Sequence, residues 1–531
     1  MSMLRLRRGL IAGVVACAIV AGCAGRDEGD DGHRAAGTPS TTTSAPVPDA
    51  LSRESFAPYE PLWTARDCGD TGSAASPIDP DIEVSCGTLT VPENRREPQG
   101  NLVELAVRRI GFVGEGAAPD PVVYLHGGPG SGVYQSGSAR WERLAHELRR
   151  EVIVFDQRGV GASSPNLNCP EREDAFIEVL SGTAGWDVEL ANIQTALSTC
   201  FERLNAAGHD LSQYNTFANA ADLADLRVAL GIDAWNLWGV SYGTRLALTA
   251  LRFFPEGIRS VVLDSVSPPS AANVYGSLVS GREAFDRLAN GCGTEPACNE
   301  RFGDIRPAID AIYAAMNEQP AETDLTVGDQ NLHLRLDGSD SIAGLFNAMY
   351  DTTLIPQLPA VITDLAAGGR GIVAMIAQVG IPFINSMTEG AYLSYECADN
   401  TARIEPSEVD SLIEDPGEAA TLLLAGWNLF CEQWPIEPLP VEFGDVVTRD
   451  LVPDDVAVIV FAGEYDPITP SDRSREVAEA IDALAFVEIP RGGHGAQSSN
   501  SCTKGLFLRF INDPTQLDTT CVASIPVVPF A

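Results

Sequence analysis

Gly239-Val240-Ser241-Tyr242-Gly243 limits what this chain can fold into more than any other stretch. The apolar run Ala234-Trp235-Asn236-Leu237-Trp238 precedes it, and the helical pattern Thr244 to Leu251 follows. A G-x-S-x-G alone recurs by chance in many chains. Between a strand and a helix it predicts a nucleophile elbow, a turn so sharp that its serine takes a strained backbone conformation and its glycines leave no room for side chains. Such a turn presents the serine hydroxyl above the strand end, at the positive end of the next helix.

The surrounding pattern predicts the frame that holds such a turn. Cys86 to Pro92 and Leu102 to Val107 read as a leading antiparallel pair. Pro121 to Leu125 is a short apolar run entering His126-Gly127-Gly128-Pro129-Gly130, and Val152 to Phe155 enters Asp156-Gln157-Arg158-Gly159-Val160-Gly161-Ala162-Ser163. A helical pattern over Ala220 to Leu230 precedes the elbow strand, and Ser260 to Asp264 follows the elbow helix. Strands alternating with helices predict an α/β fold, a mostly parallel sheet with helices on both faces and function at the carboxyl ends of the strands. After Pro268-Pro269 the strand signal stops until Val456, and the intervening patterns are helical: Ile305 to Met316, Ser339 to Tyr350, Leu358 to Ala377, Pro416 to Phe430. This predicts a large helical lid inserted over 270–445, between core parts at 56–269 and 446–531. Val456 to Phe461 resumes the sheet and Phe486 to Ile489 closes it.

A serine nucleophile needs a base, and the base an orienting acid. The chain has six histidines. His33 precedes the folded part, His126 sits inside the glycine turn, and His146, His209 and His333 have no strand-end context. His494, in Gly492-Gly493-His494-Gly495, follows the last strand and fits the chain order Ser, acid, His. For the acid, Asp466 stands in the turn after Phe461-Ala462-Gly463; Glu464 is the local rival and Asp264 the distant one. An oxyanion site requires two backbone N–H groups. Tyr242, after the nucleophile, is expected to give one, and Gly128 the other.

The N-terminus reads as an export signal. Arg5, Arg7 and Arg8 precede an apolar stretch from Leu10 to Ala21, too short to remain as a transmembrane span. Val20-Ala21-Gly22-Cys23 resembles a bacterial lipobox, which implies removal of 1–22, lipidation at Cys23 and anchoring to the cell envelope. Residues 23–55 are rich in Gly, Asp, Ser, Thr and Pro and read as a flexible tether. Of twelve cysteines, ten lie beyond Cys23. An even number in an exported chain predicts disulfides. Neighbour pairing (68–86, 169–200, 292–298, 397–431, 502–521) is the simplest arrangement, although sequence does not fix connectivity. No C-x-x-C pair suggests zinc, and no metal or cofactor is expected. The net charge of −38 disfavours nucleic acid as a partner, because phosphates would be repelled.

Together HGGPG, DQRGVGAS, GVSYG, GEYDPITP and GGHG resemble the prolyl iminopeptidase and tripeptidyl aminopeptidase peptidases of the α/β-hydrolase superfamily. The resemblance runs from about Cys68 to Cys521 and is weakest in the lid. It implies a triad of Ser241, Asp466 and His494, an oxyanion hole at Gly128 and Tyr242, and cleavage of short peptides from a free N-terminus; the chain is expected to act as a monomer. An aminopeptidase must bind a substrate ammonium group. Glu396 and Asp399, in Tyr395-Glu396-Cys397-Ala398-Asp399, are the candidates, and a Cys397–Cys431 bridge would hold them rigid. A carboxylesterase uses the same triad; a solute-binding lipoprotein would need none of it.

Overall fold

The computed structural model describes residues 55–69, 79–172, 175, 186–269, 273–327, 330–369, 387–400, 430–444 and 447–531. The export signal, Cys23, the tether through residue 54, and the helical pattern expected before Phe430 lie outside them.

Nine strands form one sheet. In chain order they are β1 (Leu62–Arg66), β2 (Ile82–Pro92), β3 (Leu102–Phe112), β4 (Val122–Leu125), β5 (Val152–Phe155), β6 (Trp235–Val240), β7 (Ile258–Asp264), then β10 (Ala457–Gly463) and β11 (Ala485–Ile489). Their order across the sheet is β1-β2-β3-β5-β4-β6-β7-β10-β11. The β1–β2, β2–β3 and β3–β5 pairs are antiparallel, and every pair from β5 to β11 is parallel. The leading antiparallel pair expected from sequence is therefore present, at the edge of a parallel block.

The central strands are largely apolar because both faces are covered, with Asn236 and Ser260 among the few buried polar residues. Val123, Leu125, Ile153, Phe155, Leu237 and Leu263 point into one core, with α3 (Thr216–Ala229) and α4 (Tyr242–Phe253). Val122, Tyr124, Val152, Val154, Trp238, Val262 and Phe461 point the other way, onto α1 (Ser138–Leu148) and α12 (Ser501–Asn512). The two-residue alternation of strand side chains sorts them. The register sets Leu125 beside Gly239, Val240 beside Asp264, and Asp264 beside Phe461. Four loops that carry the candidate residues thus leave the same end of the sheet.

Between β7 and β10 the chain builds a unit with its own core, including Leu288, Ile312, Leu334, Leu345, Phe346 and Ile362. Its helices are α5 (Asn273–Thr294), α6 (Pro296–Phe302), α7 (Arg306–Glu318), α8 (Gly338–Ala348) and α9 (Leu358–Ala366), while the later α10 (Glu389–Asn400) packs Ala391, Leu393 and Tyr395 into the main core. It is not wholly helical: β8 (Ala321–Val327) and β9 (Gln330–Leu336) form an antiparallel hairpin. Gly328-Asp329 between two alternating runs is a hairpin signal that the helical reading passed over. All five disulfides join sequence neighbours: 68–86, 169–200, 292–298, 397–431 and 502–521. The Cα atoms of the paired cysteines lie 5.0, 5.5, 5.1, 5.5 and 5.8 Å apart, within bonding reach.

Candidate active site

Ser241 sits between β6 and α4 with φ 58° and ψ −127°. A non-glycine residue there carries on the order of 1–3 kcal/mol of strain, sustained only when its surroundings fix it. Here they do. Its N–H donates to Asp264 O at 3.0 Å, and its own carbonyl accepts from Thr244 N at 2.8 Å. A Cβ on Gly239 would overlap the carbonyl of Gly243, and one on Gly243 would overlap Leu125 O. Both glycines are therefore demanded by backbone packed against backbone.

Asp466 and His494 meet across the ends of β10 and β11. The Asp466 Oδ2 to His494 Nδ1 distance is 2.9 Å. Asp466 is fully buried, and its Oδ1 accepts from the amides of Ile468 and Thr469 at 3.0 and 2.9 Å. Thr469 also donates its hydroxyl to Oδ2 at 2.8 Å and lies 3.2 Å from His494 Nδ1. Sequence reasoning did not single out Thr469. The signal was present, since a threonine shortly after an aspartate in a turn can close on that side chain. Burial works to raise the Asp466 pKa, but the charge and hydrogen bond of His494, with the Thr469 bonds, outweigh it and hold the carboxyl below its ordinary value. For His494, burial opposes the charged ring, yet Asp466 and then Asp264 raise its pKa above the usual histidine value.

The rival acids have other partners. Glu464 accepts the amide of Arg491 at 2.8 Å. Asp264 accepts the amide of Gln497 at 3.2 Å, and among the described residues its Oδ1 has no hydrogen-bond partner. Burial raises its pKa to about 7, against the pull of Gln497 and His494.

The glycine turn after β4 lies against the elbow. A Cβ on Gly127 would stand 2.8 Å from Ser241 Cβ and 3.3 Å from its Oγ. Gly128 is exposed, with φ 121°, and a Cβ there would meet the backbone nitrogens of Gly130 and Ser131 at 2.9 and 3.0 Å. His126 is held by Tyr124 Oη, 3.1 Å from its Nδ1, and burial followed by Arg140 pushes its pKa down to about 4. Gln157 Nε2 donates to the His126 carbonyl at 3.0 Å, tying the turn to the DQRG loop. The Tyr242 side chain is buried beneath, its hydroxyl 2.6 Å from Thr216 Oγ1 and 3.3 Å from Asn219 Nδ2.

Helix α10 brings the lid acids to this region. Thr388 N donates to Gly130 O at 2.8 Å just before the helix begins, and a Cβ on Gly130 would touch Tyr392. Glu396 is fully buried. Asp399 is 4% exposed and its carboxylate accepts from Thr216 Oγ1 at 2.5 Å and Thr216 N at 3.3 Å. It thus supports the Thr216–Tyr242 contact. Glu389, absent from the sequence-based candidates, is buried, lies 3.8 Å from Arg172 and has Oε1 without a hydrogen-bond partner among the described residues. Burial, only partly offset by Arg172, raises its pKa to about 7. Nothing in sequence separates Glu389 from a surface acid. For cations, Asp79, Asp81 and His146 bring ligand atoms within 4.8 Å of one another at the surface, a grouping common without any ion.

Two family models match the chain: an alpha/beta hydrolase fold over residues 120–301 and a TAP-like protein family over 418–521. The fold, with a serine on a strand-to-helix elbow and an aspartate–histidine pair at neighbouring strand ends, defines an α/β hydrolase. Among relatives, a tripeptidyl aminopeptidase of Streptomyces coelicolor is 26% identical over 460 residues, covering 81% of this chain and 80% of that protein. The serine protease Hip1 of Mycobacterium tuberculosis is 24% identical over 435 residues, covering 75% and 79%. A proline iminopeptidase of Xylella fastidiosa is 30% identical over 146 residues, 28% of this chain and 32% of that protein. The protein is a serine peptidase related to these tripeptidyl aminopeptidases and proline iminopeptidases.

Proposed function

We propose that the protein is an exported, lipid-anchored aminopeptidase that releases short peptides or residues from free peptide N-termini through Ser241, His494 and Asp466. The observation that carries this reading is the 2.9 Å Asp466–His494 contact beside a strained, anchored Ser241. With Nδ1 committed to Asp466, His494 uses Nε2 to take the Ser241 proton as Oγ attacks the scissile carbonyl. The N–H groups of Gly128 and Tyr242 receive the oxyanion. His494 then gives its proton to the leaving amine, and water repeats the cycle on the acyl-enzyme. The buried carboxylates of Glu396 and Asp399, with Glu389 at the start of the same helix α10 next to the Thr388–Gly130 contact, are the acids that would take a substrate ammonium group.

N-acetylation tests the choice of substrate end. It removes the ammonium charge, so acetylated tripeptidyl substrates lose at least about tenfold in kcat/KM against free-amine parents, the worth of one charge-assisted hydrogen bond. Equal cleavage of both would overturn the aminopeptidase reading and favour an endopeptidase or esterase.

A further inference from the structure

The lid segment from Asn347 to Thr353 and the loop from His494 to Ser499 line a cavity of about 440 Å³ that is open to solvent, a size suited to small ligands. Lid and loop are docked here through loop amides. His494 N donates to Tyr350 O at 3.0 Å, Gly493 N donates to Thr352 Oγ1 at 3.0 Å, and the Tyr350 ring centre is 4.8 Å from that of His494. The cavity is lined by His494 and Gly495, while Ser241, Gly128 and Tyr242 do not line it. Apolar atoms, including those of Tyr350 and Ala496, make up most of its wall, and Asn347, Thr352, Thr353, Ser498 and Ser499 add hydrogen-bonding groups to it, with the exposed carboxylate of Asp351 fixed by the Thr353 N–H at 2.8 Å and hydroxyl at 2.7 Å.

Chemistry assigns a side to such a place. In acylation the Ser241 Oγ–carbonyl bond forms, the carbonyl C–N bond breaks, and the proton taken from Ser241 passes through His494 to the leaving nitrogen. The acyl part stays with Ser241 and the oxyanion donors, and the departing amine must leave past His494. We propose that this cavity is the leaving-group subsite, and that it takes peptides whose first residue after the cut carries a polar or cationic side chain. The inference rests on the triad reading above.

The reverse step tests it without reference to the acyl side. With a short-chain p-nitrophenyl ester as acyl donor and the full-length protein, an added amino-acid amide competes with water for the acyl-enzyme. Its nitrogen bonds to the acyl carbon, its proton passes through His494 to Ser241 Oγ, and the ester bond to the enzyme breaks. The ratio of aminolysis to hydrolysis does not depend on how much enzyme is folded, because both products come from one intermediate. Argininamide and serinamide are expected to exceed leucinamide by about fivefold or more, the scale of one hydrogen bond or ion pair. Asp351→Asn removes the argininamide advantage, and Ser499→Trp, which fills the cavity, lowers the ratio for all three amides. Ratios that are equal for the three amides and unmoved by Ser499→Trp overturn the subsite alone. Absence of ester turnover together with absence of fluorophosphonate labelling at Ser241 removes the triad reading, and the subsite with it.

Discussion

Asp466 uses both carboxylate oxygens at once: Oδ1 fixes its own turn through Ile468 and Thr469, and Oδ2 takes the Thr469 hydroxyl and the His494 ring. In the proposed triad, its negative charge keeps His494 in one tautomer and stabilises the imidazolium that forms as His494 takes the Ser241 proton. Asp466→Asn is therefore expected to lower kcat by about ten-thousand-fold, as in trypsin-type enzymes. Asp264→Asn, whose carboxylate binds a backbone amide instead, lowers it far less; steady-state kinetics on one substrate decide, and the opposite order moves the acid to β7. The pH profile follows from His494. The free enzyme needs the ring neutral to act as base, so kcat/KM falls as pH drops through its pKa. That pKa is raised, so the acid limb lies above the ordinary histidine value of about 6.5. Asp466→Asn removes the main raising influence and shifts any residual acid limb downward. A wild-type limb centred below the ordinary value contradicts the assignment of His494 as base.

At the scale of elements, the site depends on backbones that touch. Gly243 lets α4 press against the end of β4, with Leu125 O where a Cβ would be. Gly243→Ala must push helix and strand apart. An overpacking cost of about 1–3 kcal/mol is expected in thermal or denaturant unfolding, with loss of fluorophosphonate labelling because Ser241 moves with the helix. An unchanged midpoint and normal labelling would mean that the elbow is looser than described. The elbow, the glycine turn and the GGHG loop were legible in the sequence because each is specified by residues within one turn. The lid hairpin of β8 and β9 was harder to read, because its short alternating strands stand among helical patterns. Glu389, Thr469 and the Thr216–Tyr242–Asp399 contacts were not legible as a site. They depend on partners supplied by other elements, or on which of many acids becomes buried.

For the whole molecule, no helix among the described residues is long and apolar enough to cross a membrane. If the lipobox reading of Cys23 holds, lipid at that residue is what keeps the protein on the envelope. Cys23→Ser is expected to move it from the membrane fraction to the soluble fraction or the medium, with activity per molecule retained. Retention in membranes after a carbonate wash speaks against the lipid anchor. The net charge of −38 belongs to this scale too, since it sets solubility and repulsion from polyanions rather than the fold. By itself the sequence determined the parallel sheet, the elbow and the candidate Ser-Asp-His set, because strand periodicity, turn chemistry and short loops act over a few residues; which cysteines pair was decided by the fold. Only the tertiary structure decided that Asp399 supports the Thr216–Tyr242 contact, that Glu389 is buried, and that the lid segment 347–353 lines a cavity at His494. Burial and contact between distant segments are properties of the packed chain, and they determine which carboxylates are held apart from solvent and which are left to meet it.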